Sequence, residues 1–171
     1  MLKIVIPGRG EMAHTIKEII DIAVGIEETG YEFYTSCAGQ LKDPATSDAF
    51  EFLAKEELVH KDLFLSLRDN EQETSRPNTE EYYRYLRAIG GEGIFEKHKL
   101  DINRISSDIT APMAAIKKAF ILEKESILFY SEMKQLYGED REPIELIDKI
   151  IAEERKHVAV LYDLSQKIRF T

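Results

Sequence analysis

Apolar residues recur along this chain at the three- and four-residue intervals of helices that bury one side. Four long segments carry that period. The first runs from about Met12 to Leu41 and stops at Lys42-Asp43-Pro44. The second runs from about Pro44 to Asp69, with Asp43 as N-cap and Pro44 at the first helical position, where a missing N–H costs nothing. Phe50, Leu53, Phe64 and Leu67 form its apolar stripe. The third follows Thr110-Ala111-Pro112, ends at Tyr137-Gly138 and is striped by Ile116, Phe120, Ile127 and Tyr130. The fourth starts near Pro143, runs to about Ile168 and carries Ile147, Ile150, Leu161 and Leu164.

A long connection, residues 70–109, separates the second segment from the third. It opens on the polar run NEQETSRPN. A short helix is expected over Thr79–Ile89, capped by Asn78 or Thr79 and broken by Gly90-Gly91-Glu92-Gly93. Two tight helical hairpins joined by one long crossover describe an all-α four-helix bundle of ferritin-like connectivity; an up-and-down bundle needs no such crossover. The whole chain, 1–171, reads as a single domain with residues 1–11 as an N-terminal arm. Its halves also repeat. IEETGYEFY and LEKESILFY share Glu-x6-Tyr, while LAKEELVH and IAEERKH share Glu-x-x-His. Tyr130 follows Tyr34 by 96 positions and His157 follows His60 by 97, so the hairpin is duplicated with a shift of one residue.

Composition narrows the chemistry. Hydrophobic residues make up 43% of 171 and charged residues 32%, ordinary for a globular protein. A net charge of −9 argues against nucleic acid, which is bound by basic faces. No apolar run approaches the length of a membrane span, so no membrane association is expected. The opening apolar run, ended by Pro7, is too short for a secretory leader, and a reducing cytoplasm is the expected setting. With Cys37 as the single cysteine, no internal disulfide and no multi-cysteine metal centre can form.

Polar residues interrupt the apolar stripes where core residues belong. Glu57 and His60 lie within the second stripe, Glu154 and His157 within the fourth, Glu123 within the third, and Glu27 on the inner side of the first. Residues three apart project from one helix face, so each Glu-x-x-His offers an oxygen and a nitrogen to a common point. Uncompensated burial of such charges costs several kcal/mol. One Glu from each of two helices plus Glu-x-x-His from each of the other two is the donor set of dinuclear carboxylate bundles. Four carboxylates balance two divalent cations. Carboxylate with imidazole suits iron, and manganese or zinc would be tolerated. Tyr34 and Tyr130, nearly two turns beyond Glu27 and Glu123, fall on the inner face, where each hydroxyl could hydrogen-bond a ligand carboxylate.

Taken in order, IEETGYEFY, LAKEELVH, LEKESILFY and IAEERKH resemble the rubrerythrin branch of the ferritin-like superfamily, over about Ile16 to Leu164. The resemblance implies two irons, with Glu57 and Glu154 bridging, Glu27 and Glu123 terminal, and one of His60 and His157 on each metal. It also implies reduction of hydrogen peroxide or dioxygen, and a homodimer is expected. The four-cysteine rubredoxin module of full rubrerythrins is missing, so electrons are expected from an external donor such as a rubredoxin-type protein. The family's extra helix-three glutamate, three residues after the first, is replaced by Ser126, which counts against peroxidase chemistry. Iron storage or delivery with slow ferroxidation, and a helical bundle with a structural or vestigial metal site, are the competing readings.

Other polar residues are expected to be plainer. Glu56 and Glu153 point about 100° away from the ligands that follow them, and are read as surface groups or as supports behind the ligands. Glu28 is read as exposed, and Glu125, two residues from Glu123, faces another way. Cys37 reads as a small buried hydrophobe, and His14 and His98 as surface residues. Tyr82, Tyr83 and Tyr85 are expected to pack the crossover onto the bundle or onto a second subunit.

Overall fold

The computed structural model describes residues 15–71, 80–92 and 112–169. Four long helices dominate them: α1 Ile16–Gln40, α2 Pro44–Asn70, α4 Pro112–Met133 and α5 Arg141–Arg169, with the short α3 Glu80–Arg87 in the crossover. Local chemistry sets the boundaries. Thr15 caps α1 by accepting from the Glu18 N–H, and the Asp43 side chain caps α2 by accepting from the Thr46 N–H at 2.8 Å. Ser47 Oγ donates to the Ala38 carbonyl at 2.8 Å, tying the start of α2 back to the end of α1. A single turn of 3-10 helix, Lys134–Tyr137, closes α4, and Gly138 at φ 59° then reverses the chain. That backbone conformation suits glycine, which has no β-carbon to clash.

α1 packs along α2 and α4 along α5, and the two hairpins meet through α1 against α4 and α2 against α5. This is the all-α ferritin-like bundle the periodicity predicts. Phe50, Leu53 and Phe64 from α2 are buried with Ile147, Ile150 and Leu161 from α5, as the stripes require. Each such side chain contributes about 1.5–3 kcal/mol on burial, which is what holds a polar centre between them.

Three expectations need correction. Phe120 and Ile127 are only half-buried; the inner face of α4 is centred on Ala115, Ile116, Ala119, Leu122 and Glu123, where two alanines let neighbouring helices approach. α5 begins at Arg141, two residues before Pro143, which sits in its first turn. Gly90 does not break the short helix, because α3 runs on into a π turn, Ala88–Glu92. Its small size serves packing: a β-carbon there would stand 2.2 Å from the Phe129 ring and 2.7 Å from Ile22. The crossover does dock on the bundle, with Tyr83 and Leu86 buried and the Tyr82 hydroxyl donating to the Glu132 carbonyl at 2.8 Å. The arm 1–11, Met12, His14, the caps at Asn78–Thr79 and Thr110-Ala111, Gly93 and His98 lie outside the described residues.

Candidate metal centre

Halfway along the bundle the six interrupting residues converge. Glu27 comes from α1, Glu57 and His60 from α2, Glu123 from α4, and Glu154 and His157 from α5; all six are buried. They form two overlapping groups. Glu27, Glu57, His60 and Glu154 each offer an atom such that all four atoms lie within 4.8 Å of one another, and so do Glu57, Glu123, Glu154 and His157. Glu57 and Glu154 belong to both. Two donors on opposite sides of an ion at roughly 2.1 Å stand about 4.2 Å apart, so each group would need only a slight contraction to close on a cation.

Both imidazoles turn Nδ1 inward. His60 Nδ1 lies 3.1 Å from Glu154 and 3.7 Å from Glu27, while His157 Nδ1 lies 3.0 Å from Glu154, 3.5 Å from Glu123 and 3.7 Å from Glu57. The rings stack with centroids 5.4 Å apart. Glu27 Oε2 is buried without a hydrogen-bond partner and faces His60. An orphaned carboxylate oxygen in a dry core is costly, and a cation is the partner its position suits.

Electrostatics describe the same place without metal. Burial, followed by the neighbouring Glu154 charge, pushes Glu57 and Glu123 well above the ordinary carboxylate range. Burial works against charging His60 and His157, but hydrogen bonds to carboxylates outweigh it and lift them to about 11 and about 10. Burial works against charging Glu154 too, yet it is held far below its usual range by bonds to Glu123 and both imidazoles. The metal-free cluster therefore stores protons that a cation would displace.

Tyrosines cross between the hairpins. Tyr34 on α1 donates to Glu123 on α4, and Tyr130 on α4 donates to Glu27 on α1, so each hydroxyl fixes the carboxylate of the opposite helix. Burial and the adjacent carboxylate keep both phenols protonated, well above their usual pKa. Tyr34 packs edge-on to Phe50 with centroids 5.3 Å apart, and Tyr130 tilts over Phe64 at 4.8 Å, so each hydroxyl that reaches the cluster is carried on a ring buried against another.

Gly30 escapes stripe reading, while Ser126 and Glu153, the latter read as a surface group or a support, gain partners that the stripes do not name. Gly30, in mid-helix, leaves room for Glu57: a β-carbon there would stand 2.7 Å from Glu57 Oε2. A helix-interior glycine costs about 1 kcal/mol, and that anomaly is the signal a sequence offers. Ser126 donates to the Glu123 carbonyl at 2.9 Å and lines a small cavity with Gly30, Tyr34, Glu57 and Glu123. Glu153 reaches His60 Nε2 at 3.1 Å. Glu125 stays outside both groups. Glu28, expected to be exposed, is half-buried because it pairs with Lys61 at 2.7 Å, and Cys37 is buried, its thiol pushed up to about 12 by burial.

The fold and the buried carboxylate–histidine cluster together define a ferritin-like bundle with a candidate metal centre. Comparison with known proteins agrees. A family model described as Rubrerythrin matches residues 18–101. An uncharacterized protein of Archaeoglobus fulgidus is 39% identical over 59 residues, 34% of this chain and 90% of that protein. A solved Thermotoga maritima structure described as a ferritin-like diiron-carboxylate protein superposes with a TM-score of 0.64 over 92% of this chain and 98% of that one. At 19% identity, that likeness speaks for the fold. The chain has the ferritin-like fold, and over residues 18–101 it is similar to the rubrerythrins. Among the described residues, no helix is long and apolar enough to cross a membrane.

Proposed function

We propose that this protein is a di-iron carboxylate oxidoreductase that reduces hydrogen peroxide or dioxygen. The observation that carries this reading is the pair of overlapping donor groups sharing Glu57 and Glu154. The fit is chemical: four carboxylates and two imidazoles match two divalent iron ions in charge and in donor type. A pair of irons held there would supply one electron each to the oxidant. In this reading Glu57 and Glu154 serve both ions, Glu27 and His60 hold one, and Glu123 and His157 hold the other.

The chain's own residues do the rest. Tyr34 and Tyr130 orient the outer carboxylates, and the Phe50 and Phe64 rings pack against those tyrosines. The cavity beside Glu57, Glu123 and Ser126 has room for about one water-sized molecule, which favours a small oxidant over an organic substrate. In this proposal an external donor, a rubredoxin-type protein or a small reductant, supplies the electrons. A cytoplasmic homodimer is part of the same proposal.

Ser126 favours a second reading. With a serine in place of the family's extra glutamate, the same centre suits iron storage or delivery with slow ferroxidation. The test is metal content and optical spectrum of protein purified without oxygen, before and after oxidant. Two irons per chain, oxidised rapidly by peroxide and slowly by dioxygen, support the peroxidase; the reverse order supports an oxidase or ferroxidase. Slow oxidation by both, without turnover when reductant is supplied, supports iron handling. Less than one tightly held metal, unchanged in Glu57→Ala, overturns the di-metal reading.

A further inference from the structure

Behind the cluster, the pseudo-symmetry of the two hairpins fails at one point. His60 is wholly buried and gives Nδ1 to the cluster, while its other ring nitrogen, Nε2, lies 3.1 Å from Glu153 Oε2. Glu153 stands beside Glu154 on α5, with its side chain 22% exposed. His60 is therefore held on both edges, by the cluster on one side and by an outer carboxylate on the other. The repeat puts Glu56 of α2 in the position equivalent to Glu153, with His157 as its counterpart ring. Among the described residues no hydrogen bond joins Glu56 to His157, whose carboxylate neighbours within 4 Å all face Nδ1.

We infer that the two metal positions are unequal, and that Glu153 makes the His60 position the tighter one. This rests on the reading that the cluster holds two cations. When Nδ1 donates its lone pair to a metal, Nε2 carries the proton and donates it to Glu153. An anionic acceptor there fixes the tautomer, locks the ring plane and makes the coordinating nitrogen a stronger donor. Losing such a partner typically weakens metal binding by about 10–100-fold. Among the described residues His157 has no matching support, so its ion would bind second and leave first. Glu153 is a positioning residue, acting through His60 without touching the metal.

The test is anaerobic titration of the metal-free, full-length protein with Co(II), followed by its visible spectrum and by calorimetry. Two steps are expected in the unmodified protein, at least about tenfold apart in affinity. His157→Ala should keep the tight step, and His60→Ala should lose it. Glu153→Gln should weaken the first step by about 10–100-fold and spare the second, while Glu56→Gln changes neither. Circular dichroism of the metal-free variants separates loss of fold from loss of affinity. Should Glu153→Gln fail to fold, the two histidine variants still decide which position is tighter. Equal steps in the unmodified protein, or Glu56→Gln weakening binding as much as Glu153→Gln, would overturn the inequality alone. No saturable Co(II) binding at all would overturn the di-metal reading with it.

Discussion

Gly30→Ala separates what the fold prefers from what a metal centre needs. The new β-carbon would stand 2.7 Å from Glu57 Oε2, 3.0 Å from Cδ and 3.3 Å from Cγ. Ordinary non-bonded contacts settle at about 3.5 Å, so the carboxylate must retreat by roughly 0.8 Å. Without metal this is cheap. The carboxyl group ends a flexible side chain beside a small cavity, and alanine in a helix interior is favoured over glycine by about 1 kcal/mol. For a chain of this length, that raises the melting temperature by roughly 2–4 °C.

Metal binding reverses the balance. Metal–ligand distances hold to within about 0.2 Å, several times less than the forced retreat. Because Glu57 belongs to both donor groups, affinity should fall at both positions, by about tenfold or more, equivalent to about 1.4 kcal/mol. The variant should therefore melt higher than the unmodified protein when metal-free and gain less from added Co(II). Paired anaerobic thermal melts with and without Co(II) measure both quantities. An unchanged gain from Co(II) in Gly30→Ala would refute the claim that this contact sets the position of Glu57 as a ligand.

Three further outcomes follow from the same geometry. Gly90→Ala should cost about 2–3 kcal/mol, because a β-carbon 2.2 Å from the Phe129 ring overpacks the crossover; urea denaturation should show the loss, with Co(II) affinity unchanged. Tyr130→Phe removes the donor to Glu27 and should destabilise the metal-free protein by about 1.5–3 kcal/mol, read from the same denaturation curves. The third outcome is a pH dependence. His60 and His157 are raised to about 11 and about 10, and Glu57 and Glu123 are also raised, so the folded metal-free state holds protons that the unfolded chain has released. Stability should be greatest in mild acid and fall as pH rises, first past the ordinary carboxylate value of 4.5 and further past the imidazole value of 6.5. Glu154, held low, acts in the opposite sense only below the ordinary carboxylate range. A cation displaces the stored protons, so its stabilising effect should grow with pH. Metal-free melting temperatures that climb between pH 5 and 9 would contradict this.

How much of the fold and its centre is legible in the sequence depends on how far each interaction reaches. A charged residue on an apolar stripe is visible from its own helix, because its burial is costly wherever the other helices lie. That is why Glu57, His60, Glu154 and His157 stand out from periodicity alone. Glu153 does not. Its direction on α5 follows from the 100° step per residue, but only the register of α5 against α2 brings it to His60 Nε2. The tyrosines fall between these cases: their inner face is readable, while the exchange of Tyr34 to Glu123 and Tyr130 to Glu27 is not. Gly90 misleads for a related reason. Its local penalty suggests a break, while the ring that needs its space, Phe129, lies on another helix. Gly30 is the sharpest instance. Its cost appears in any propensity scale, but the beneficiary is a carboxylate on α2, and only the chemistry proposed for Glu57 explains why a bundle would keep a glycine where alanine would make a better helix.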